Sequence, residues 1–173
     1  MMLNNGMGWF RNSWLWCRSF REQVGKETSC CRICEIIANR EDCIYEDSKL
    51  YVFRDQYPSA KGHILVVPKR HIPSVYSLLD MDLNEASDLL GRMIFQGQRA
   101  LKSNQDCKSH KFGFHVPPFF SIPHLHMHVF ELPYKSCIAS LKYVSSTPYF
   151  VEAHALNHYL LNYNTNSQSR NAV

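Results

Sequence analysis

The sequence predicts an α+β domain in which an antiparallel sheet packs against one long core helix and a C-terminal helical extension follows. Residues 50–54 and 63–67 are rich in β-branched and aromatic side chains, and the loop between them holds Pro58 and Gly62, which is typical of an antiparallel pair. Residues 82–103 repeat apolar side chains at spacings of three and four, the pattern of a core-facing helix, and Asp82 with Glu85 three residues on is expected to cap its start. A chain of 173 residues that is 45% hydrophobic has the size of one domain.

We place this domain at residues 30–163, after a leader that covers residues 1–29. The leader is rich in Trp and Arg and has no acidic residue before Glu22, as in mitochondrial transit peptides, although it lacks their Ser enrichment. Its aromatic residues also suit an amphipathic helix packed on the domain, and a disordered leader is the third interpretation. The sequence leaves these three alternatives open.

The composition of the chain indicates its cellular compartment and the kind of ligand it binds. A net charge of +4 favours anionic substrates such as nucleotides, but it is far from the basic stripe of a dedicated nucleic-acid binder. The seven cysteines, at positions 17, 30, 31, 34, 43, 107 and 137, form no evenly spaced disulfide framework and favour the reducing cytoplasm or nucleus. No run of about 18 apolar residues is present, so the sequence predicts no membrane-spanning segment.

The segment 121–130 has the strongest chemical pattern, because His124, His126 and His128 occupy every second position. If the segment is a strand, the three imidazoles leave one face and the apolar residues between them leave the other. The spacing fits solvent-facing histidines of an amphipathic strand, a metal site, or nucleophilic catalysis by one imidazole. Spacing alone does not choose among them.

Longer segments do distinguish these alternatives. Residues 124–130, His-Leu-His-Met-His-Val-Phe, resemble the alternating pattern of the histidine triad family of nucleotide hydrolases and transferases. Residues 60–71 resemble its second signature, which is a histidine, an apolar strand and Pro-Lys-x-His, and residues 31–37 resemble its opening Cys-x-x-Cys. Residues 52–55 resemble the strand that ends in a ribose-binding Asp. The match covers roughly residues 30–132 and is most similar to the third branch of the histidine triad nucleotide-binding proteins, of adenosine 5′-monophosphoramidase type, with aprataxin as a near relative.

The resemblance implies a histidine triad fold and the hydrolysis of purine nucleoside 5′-phosphoramidates, such as AMP-amine or AMP-lysine adducts, through a nucleotidyl-histidine. His126 is the expected nucleophile, and His128 is expected to hold the phosphate oxygens. His124 completes the triad. A backbone carbonyl or His63 is expected to accept the other ring N–H of the nucleophile and so select its tautomer. By position alone, His63 also fits a surface histidine at a strand end.

The loop 117–123 departs from the glycine-rich phosphate loop of the commonest branch of the family. Its three prolines lack an N–H, so few backbone donors remain and the Ser121 hydroxyl becomes the candidate phosphate or leaving-group contact. Asp55 is expected to bind the ribose hydroxyls, as the resemblance implies. The other nucleotide-contact candidates are Phe53, Ile36, His115 and Ile122. The first two also suit a plain core.

Cys31 and Cys34 have the spacing of a metal-binding knuckle, but also that of buried thiols at the start of a helix predicted over residues 34–39. The resemblance to zinc-containing triad proteins implies that His71 and His124 complete a tetrahedral set. Such a zinc would be structural, because the proposed chemistry requires no cofactor.

Beyond residue 131 we predict a short helix near residues 136–143, a second near 145–162, and a disordered polar tail over 164–173. The tract 141–151 resembles the third branch, and tails in this family close over the nucleotide. The resemblance also implies a homodimer with a purine nucleotide as ligand.

Two other functions remain open. An aprataxin-like DNA 5′-adenylate hydrolase would share the chemistry, but it needs a polynucleotide groove, and no Cys/His finger spacing follows His128. A weakly active nucleotide-binding scaffold protein is the second alternative. Release of AMP from AMP-lysine and binding of adenylated nicked DNA distinguish the three functions.

Overall fold

The computed structural model describes residues 31–101, 109–145 and 147–170, with the backbone alone described over 163–170. The predicted leader 1–29 therefore lies outside the described residues. The elements, in chain order, are α1 (Arg32–Asn39), β1 (Cys43–Glu46), β2 (Leu50–Arg54), β3 (Ala60–Pro68), a 3-10 helix (Val75–Leu79), α2 (Leu83–Ala100), β4 (Ser109–His115), β5 (Met127–Tyr134), α3 (Cys137–Leu141), β6 (Phe150–Glu152) and α4 (Ala153–Arg170). No helix among the described residues is both long and apolar enough to cross a membrane.

The α+β class predicted from the sequence is confirmed. Six strands form one sheet in the order β1-β2-β3-β5-β4-β6, and every neighbouring pair is antiparallel. The predicted pairing of β2 with β3 is present, with Phe53 opposite Leu65. In the next pair, Leu65 lies opposite His128 and His63 lies opposite Phe130. Because opposite residues of antiparallel strands leave the same face, these side chains share one face of the sheet.

The other face carries the main core under α2. The Asp82 side chain caps this helix by accepting hydrogen bonds from the N–H groups of Asn84 and Glu85, as the sequence predicted. The helix ends at Ala100, three residues before the predicted end. Its buried face packs on alternate residues of the sheet and on α4, and the largest fully buried members of this core are Leu50, Leu78, Leu90, Met93, Phe114, Leu125, Met127 and Leu156.

Two smaller apolar clusters lie on the face of the sheet that carries His63 and His128. The first cluster joins α1 to β2 and β3 through Cys31, Ile33, Tyr51, Phe53, Leu65 and Val67. The second cluster consists of Ala60, Phe130, Tyr143 and Phe150. Because His63 and His128 project from β3 and β5 on this same face, the two clusters enclose the candidate site from opposite sides.

Three predictions about elements were wrong. The histidine strand begins at Met127 and not at His124, because the Leu125 N–H donates to the Ile72 carbonyl outside the sheet. None of the described residues of 145–152 is helical: Phe150–Glu152 pair with β4 as a sixth strand and bury Phe150. The last helix extends to Arg170 where a disordered tail was predicted over 164–173, of which 171–173 lie outside the described residues.

Gly113 allows the close approach of β6 to β4, so we expect Gly113→Ala to destabilise the fold. A Cβ at this position would overlap the Phe150 ring and lie 2.5 Å from the Val151 carbonyl oxygen. Overpacking of this kind costs about 1–3 kcal/mol. Gly91 is the matched control, because a Cβ there meets nothing within 4 Å and alanine in a helix interior gains about 0.5–1 kcal/mol. Urea unfolding of both variants measures the two effects, and equal midpoints would contradict this role of Gly113.

Candidate active site

A cavity of about 440 Å³ opens on the face that carries His63 and His128. Its lining comes from the loop between β2 and β3, the end of β4, the loop before β5, β5 itself and the segment between α3 and β6. The lining residues are Asp55, Tyr57, Ser59, His115, Phe119, Ser121, His126, His128, Lys142, Tyr143 and Tyr149. Two of the three triad histidines predicted from the sequence therefore share this cavity, while His124 faces away from it.

His126 is held in one tautomer by the backbone. Its Nδ1 lies 2.6 Å from the His124 carbonyl oxygen, which can only accept, so Nδ1 carries the proton and Nε2 keeps its lone pair. Burial lowers the pKa of His126, although the same carbonyl bond acts in the opposite direction. The ring is neutral near pH 7, and its free nitrogen has the state that a nucleophile requires.

A second chain of hydrogen bonds sets the tautomer of His128. The Ser59 N–H donates to Nδ1 of His63 at 3.1 Å, so the proton of His63 lies on Nε2. This Nε2 lies 2.9 Å from Nδ1 of His128 and donates to it. The proton of His128 is therefore on its own Nε2, a buried atom without a hydrogen-bond partner among the described residues. Burial lowers the pKa of His63 to about 4 and that of His128 well below its ordinary value, so both rings stay neutral.

The two rings thus present opposite chemistry to the same space. His126 offers a lone pair and His128 offers an N–H, and their ring centroids are 5.1 Å apart. A group that receives attack from one ring and a hydrogen bond from the other fits between them. A tetrahedral phosphoryl group has both requirements, because its phosphorus is electrophilic and its oxygens accept hydrogen bonds.

Asp55 lies at the edge of this arrangement. One carboxylate oxygen accepts the Tyr57 N–H at 2.7 Å, and the other is 3.4 Å from Nε2 of His63 and 4.0 Å from Nδ1 of His128. The carboxylate therefore supports the His63–His128 pair and also lines the cavity. Its role in ribose binding stays a prediction.

Tyr143 is a site residue that the sequence analysis did not identify. The ring is 5% exposed, and its centroid lies 5.4 Å from that of His128 and 5.2 Å from that of His115. Its hydroxyl lies 3.2 Å from the Ser59 hydroxyl, next to the N–H that orients His63. Only the resemblance of the tract 141–151 to one branch of the family pointed to this region.

The remaining predicted contacts fall into two groups. His115 and Ser121 line the cavity, and the His115 ring is 5.0 Å from that of His128 while its Nδ1 donates to the Tyr149 carbonyl. Ile36, Phe53 and Ile122 do not line it. They pack together in the first apolar cluster, on the Asp55 side of the cavity.

The four predicted metal ligands come together on the other side of His126. The ligand atoms of Cys31, Cys34, His71 and His124 all lie within 4.8 Å of one another. Nδ1 of His124 is 3.4 Å from the Cys31 sulfur and 3.5 Å from that of Cys34, and Nδ1 of His71 is 3.4 Å from Cys34.

The chemistry of this donor set fits zinc. Nε2 of His124 donates to the Pro68 carbonyl at 2.9 Å, so its Nδ1 keeps the lone pair that a metal ligand needs, and two sulfurs with two imidazoles form a common tetrahedral set. Burial raises the pKa of the Cys34 thiol to about 11, a cost that a bound cation would offset. These residues could therefore hold a structural zinc ion.

Known proteins resemble this chain over the same region. A family described as "Scavenger mRNA decapping enzyme C-term binding" matches residues 30–143. The bifunctional adenosine 5′-phosphosulfate phosphorylase/adenylylsulfatase HINT4 of Arabidopsis thaliana is 41% identical over 130 residues, which cover 73% of this chain and 88% of that protein. Adenosine 5′-monophosphoramidase HINT3 of Danio rerio is 38% identical over 110 residues, which cover 62% of this chain and 66% of that protein. Among solved structures, a histidine triad protein from Clostridium difficile superimposes with a TM-score of 0.52 at 28% identity, over 62% of this chain and 96% of that one.

Proposed function

Because this chain belongs to the histidine triad family, we propose that it hydrolyses adenosine 5′-phosphoryl adducts, with purine nucleoside 5′-phosphoramidates as the first candidate substrates. The observation that carries the proposal is the opposite protonation of His126 and His128 across one cavity. One ring is set to attack and the other to donate, without a proton transfer beforehand.

In the first step, Nε2 of His126 attacks the α-phosphorus. A nitrogen–phosphorus bond forms, the bond from phosphorus to the amine breaks, and the amine leaves with the electron pair and takes a proton from water. Nε2–H of His128 donates to a phosphoryl oxygen, on which negative charge increases in the transition state. The His124 carbonyl stabilises the positive ring of His126 by holding its Nδ1 proton at 2.6 Å.

In the second step, water attacks the nucleotidyl-histidine. The water oxygen forms a bond to phosphorus and gives up a proton to solvent, the bond between phosphorus and His126 breaks, AMP forms, and Nε2 regains its lone pair. The buried chain from the Ser59 N–H through His63 to His128 keeps the same tautomers in both steps, because none of its atoms changes its bonding. The site therefore returns to its starting state without rearrangement.

The nucleotide would occupy the side of the cavity nearest β2. Asp55 lines the cavity there and is positioned to accept hydrogen bonds from the ribose hydroxyls. The base would lie next to the first apolar cluster, whose Phe53, Ile36 and Ile122 would pack behind the cavity wall. His115 borders the phosphate position from β4.

A second candidate substrate is adenosine 5′-phosphosulfate. It is favoured by the relative HINT4, which is named as an adenosine 5′-phosphosulfate phosphorylase and adenylylsulfatase and of which the chain covers 88%. The same attack by His126 would release sulfate, which needs no proton at neutral pH. The two candidates differ only in the leaving group.

Turnover with purified protein tests the proposal. We expect AMP release from adenosine 5′-phosphoramidate or adenosine 5′-phosphosulfate, and a transient AMP adduct on a peptide that contains His126 after acid-free quenching and mass spectrometry. Binding of AMP without turnover of either compound would favour the scaffold alternative. Faster AMP release from adenylated nicked DNA than from both compounds would favour the aprataxin-like alternative.

The partners are proposed on the same basis. The ligand is a purine nucleotide adduct, and the homodimer implied by the resemblance is tested by sedimentation of the full chain. Fluorescent tagging would test the expected cytoplasmic or nuclear location against mitochondrial import directed by residues 1–29.

Ser121→Ala is expected to lower kcat by roughly 10- to 1000-fold. The upper end of this range is the effect of losing one oxyanion-type donor at its full strength. The Ser121 hydroxyl lies at the cavity in a loop where three prolines supply no N–H, so few other donors can replace it. The melting temperature should stay unchanged, because Ser121 is exposed. An unchanged kcat would mean that backbone N–H groups alone hold the phosphate.

A further inference from the structure

We propose that Lys142 makes the leaving-group side of the cavity selective for substrates whose leaving group carries negative charge. The inference rests on the function proposed above and assigns a role to a residue outside the triad. It follows from the position of Lys142 in the sheet topology, from the distribution of charge in the cavity and from the chemistry of bond cleavage.

The sheet order separates the two ends of a bound substrate. Asp55 follows β2, and the first apolar cluster covers the β2 side of the site. His128 lies on β5, in the middle of the order β1-β2-β3-β5-β4-β6. His115 ends β4, on the other side of β5 from β2, and its Nδ1 donates to the Tyr149 carbonyl. Lys142 and Tyr149 line the cavity together with it. A nucleotide with its ribose at Asp55 and its phosphorus at the histidines therefore directs its leaving group toward Lys142.

The charges in the cavity differ between these two ends. Of the described residues that line it, Asp55 and Lys142 have charged side chains at neutral pH, and the others are hydroxyl, aromatic or neutral imidazole groups. Lys142 directly follows α3, and its side chain is exposed. Its ammonium group lies near enough to His115 to help burial lower the pKa of that ring, against the Tyr149 carbonyl. An anionic group is thus favoured at the Lys142 end and disfavoured at the Asp55 end.

The bond-breaking step determines which substrates gain from this charge. With adenosine 5′-phosphosulfate, the bond from His126 to phosphorus forms while the bond from phosphorus to the sulfate oxygen breaks. The electron pair leaves with sulfate, and negative charge grows beside Lys142, where the ammonium group stabilises it. With a simple phosphoramidate the leaving ammonia carries no negative charge, so Lys142 contributes nothing specific to that transition state.

The test compares kcat/KM for adenosine 5′-phosphosulfate with kcat/KM for adenosine 5′-phosphoramidate, expressed as their ratio. We expect Lys142→Met to lower this ratio about tenfold, the effect of losing one charge-assisted contact at an exposed position. Lys142→Arg, which keeps the charge, should hold the ratio within about threefold of wild type. Lys49→Met is the matched control, because Lys49 is also exposed but pairs with Asp88 away from the cavity, and it should leave the ratio unchanged.

The salt dependence of this ratio is a second measurement, and it would not change if Lys142 had a purely structural role. Added sodium chloride should lower the wild-type ratio and leave the Lys142→Met ratio constant, because ions screen an exposed charge. Equal losses with both substrates in Lys142→Met would overturn the inference while the proposed function stands. Wild-type protein that cleaves neither compound would instead overturn the proposed function and, with it, this inference.

Discussion

Replacing His126 by alanine is expected to lower turnover of adenosine 5′-phosphoramidate by roughly 10⁴- to 10⁶-fold, the usual effect of removing a catalytic nucleophile. Of the two neighbouring rings His126 and His128, only His126 can attack, since its Nε2 keeps its lone pair while Nε2 of His128 carries a proton. Steady-state kinetics with AMP detection measures the loss. Binding of AMP should stay near that of wild type, because Asp55 and the first apolar cluster are unchanged.

Two further variants make this result specific. His126→Asn removes the nucleophilic ring but keeps a side chain that can donate to the His124 carbonyl, and we expect it to be as inactive as the alanine variant. His158→Ala, which alters an exposed histidine of α4, should keep full activity. Turnover that persists in cleanly purified His126→Ala would mean that the assignment of the nucleophile is wrong.

The elements that the sequence predicted well are those with a local periodic signal. The pairing of β2 with β3 and the cap and buried face of α2 follow from patterns within about 20 residues, which is the range over which period and capping are readable. The strand β6 has three residues and depends on contact with β4, some 35 residues earlier, so no local pattern indicated it.

The site shows the same division. Alternation of histidine with apolar residues predicted that His126 and His128 act together, and they do share the cavity. For the tautomer of His126 we expected a backbone carbonyl or His63 as the acceptor; the acceptor is the His124 carbonyl, and His63 instead donates to His128. The proton position on His128 could not be predicted, because it depends on the Ser59 N–H, a backbone group of a distant loop. Tyr143 was missed because it reaches Ser59 across 84 residues, and a single tyrosine gives no spacing signal.

His124 illustrates why one spacing can hide two roles. The alternation suggested three imidazoles on one face, but the chain is not yet in the sheet at this residue, and its ring turns to Cys31 and Cys34. Its backbone carbonyl still holds His126. The residue thus connects the candidate metal site to the nucleophile, a link that neither motif indicates alone.

We propose that Cys31, Cys34, His71 and His124 bind one structural zinc ion, so purified protein should contain about one zinc per chain and chelation should lower its melting temperature. The four ligands join three segments far apart in sequence, namely the start of α1, the loop after β3 and the loop before β5. Binding to the folded chain alone contributes about 4 kcal/mol when free zinc is a thousand times Kd. For a domain of this size, that corresponds to a fall of roughly 8–16 °C on removal.

Cysteine variants distinguish zinc binding from simple burial of thiols. Cys34→Ser should lose the zinc and melt at the temperature of the chelated protein, whereas Cys43→Ser, at an exposed position, should keep both the zinc and the wild-type melting temperature. Turnover should survive chelation at temperatures where the chain stays folded, because no step uses the ion. Elemental analysis that finds no zinc in protein prepared without chelator would favour the interpretation of Cys31 and Cys34 as buried thiols. The packing of α1 on β2 and β3 would then be stabilised by the first apolar cluster.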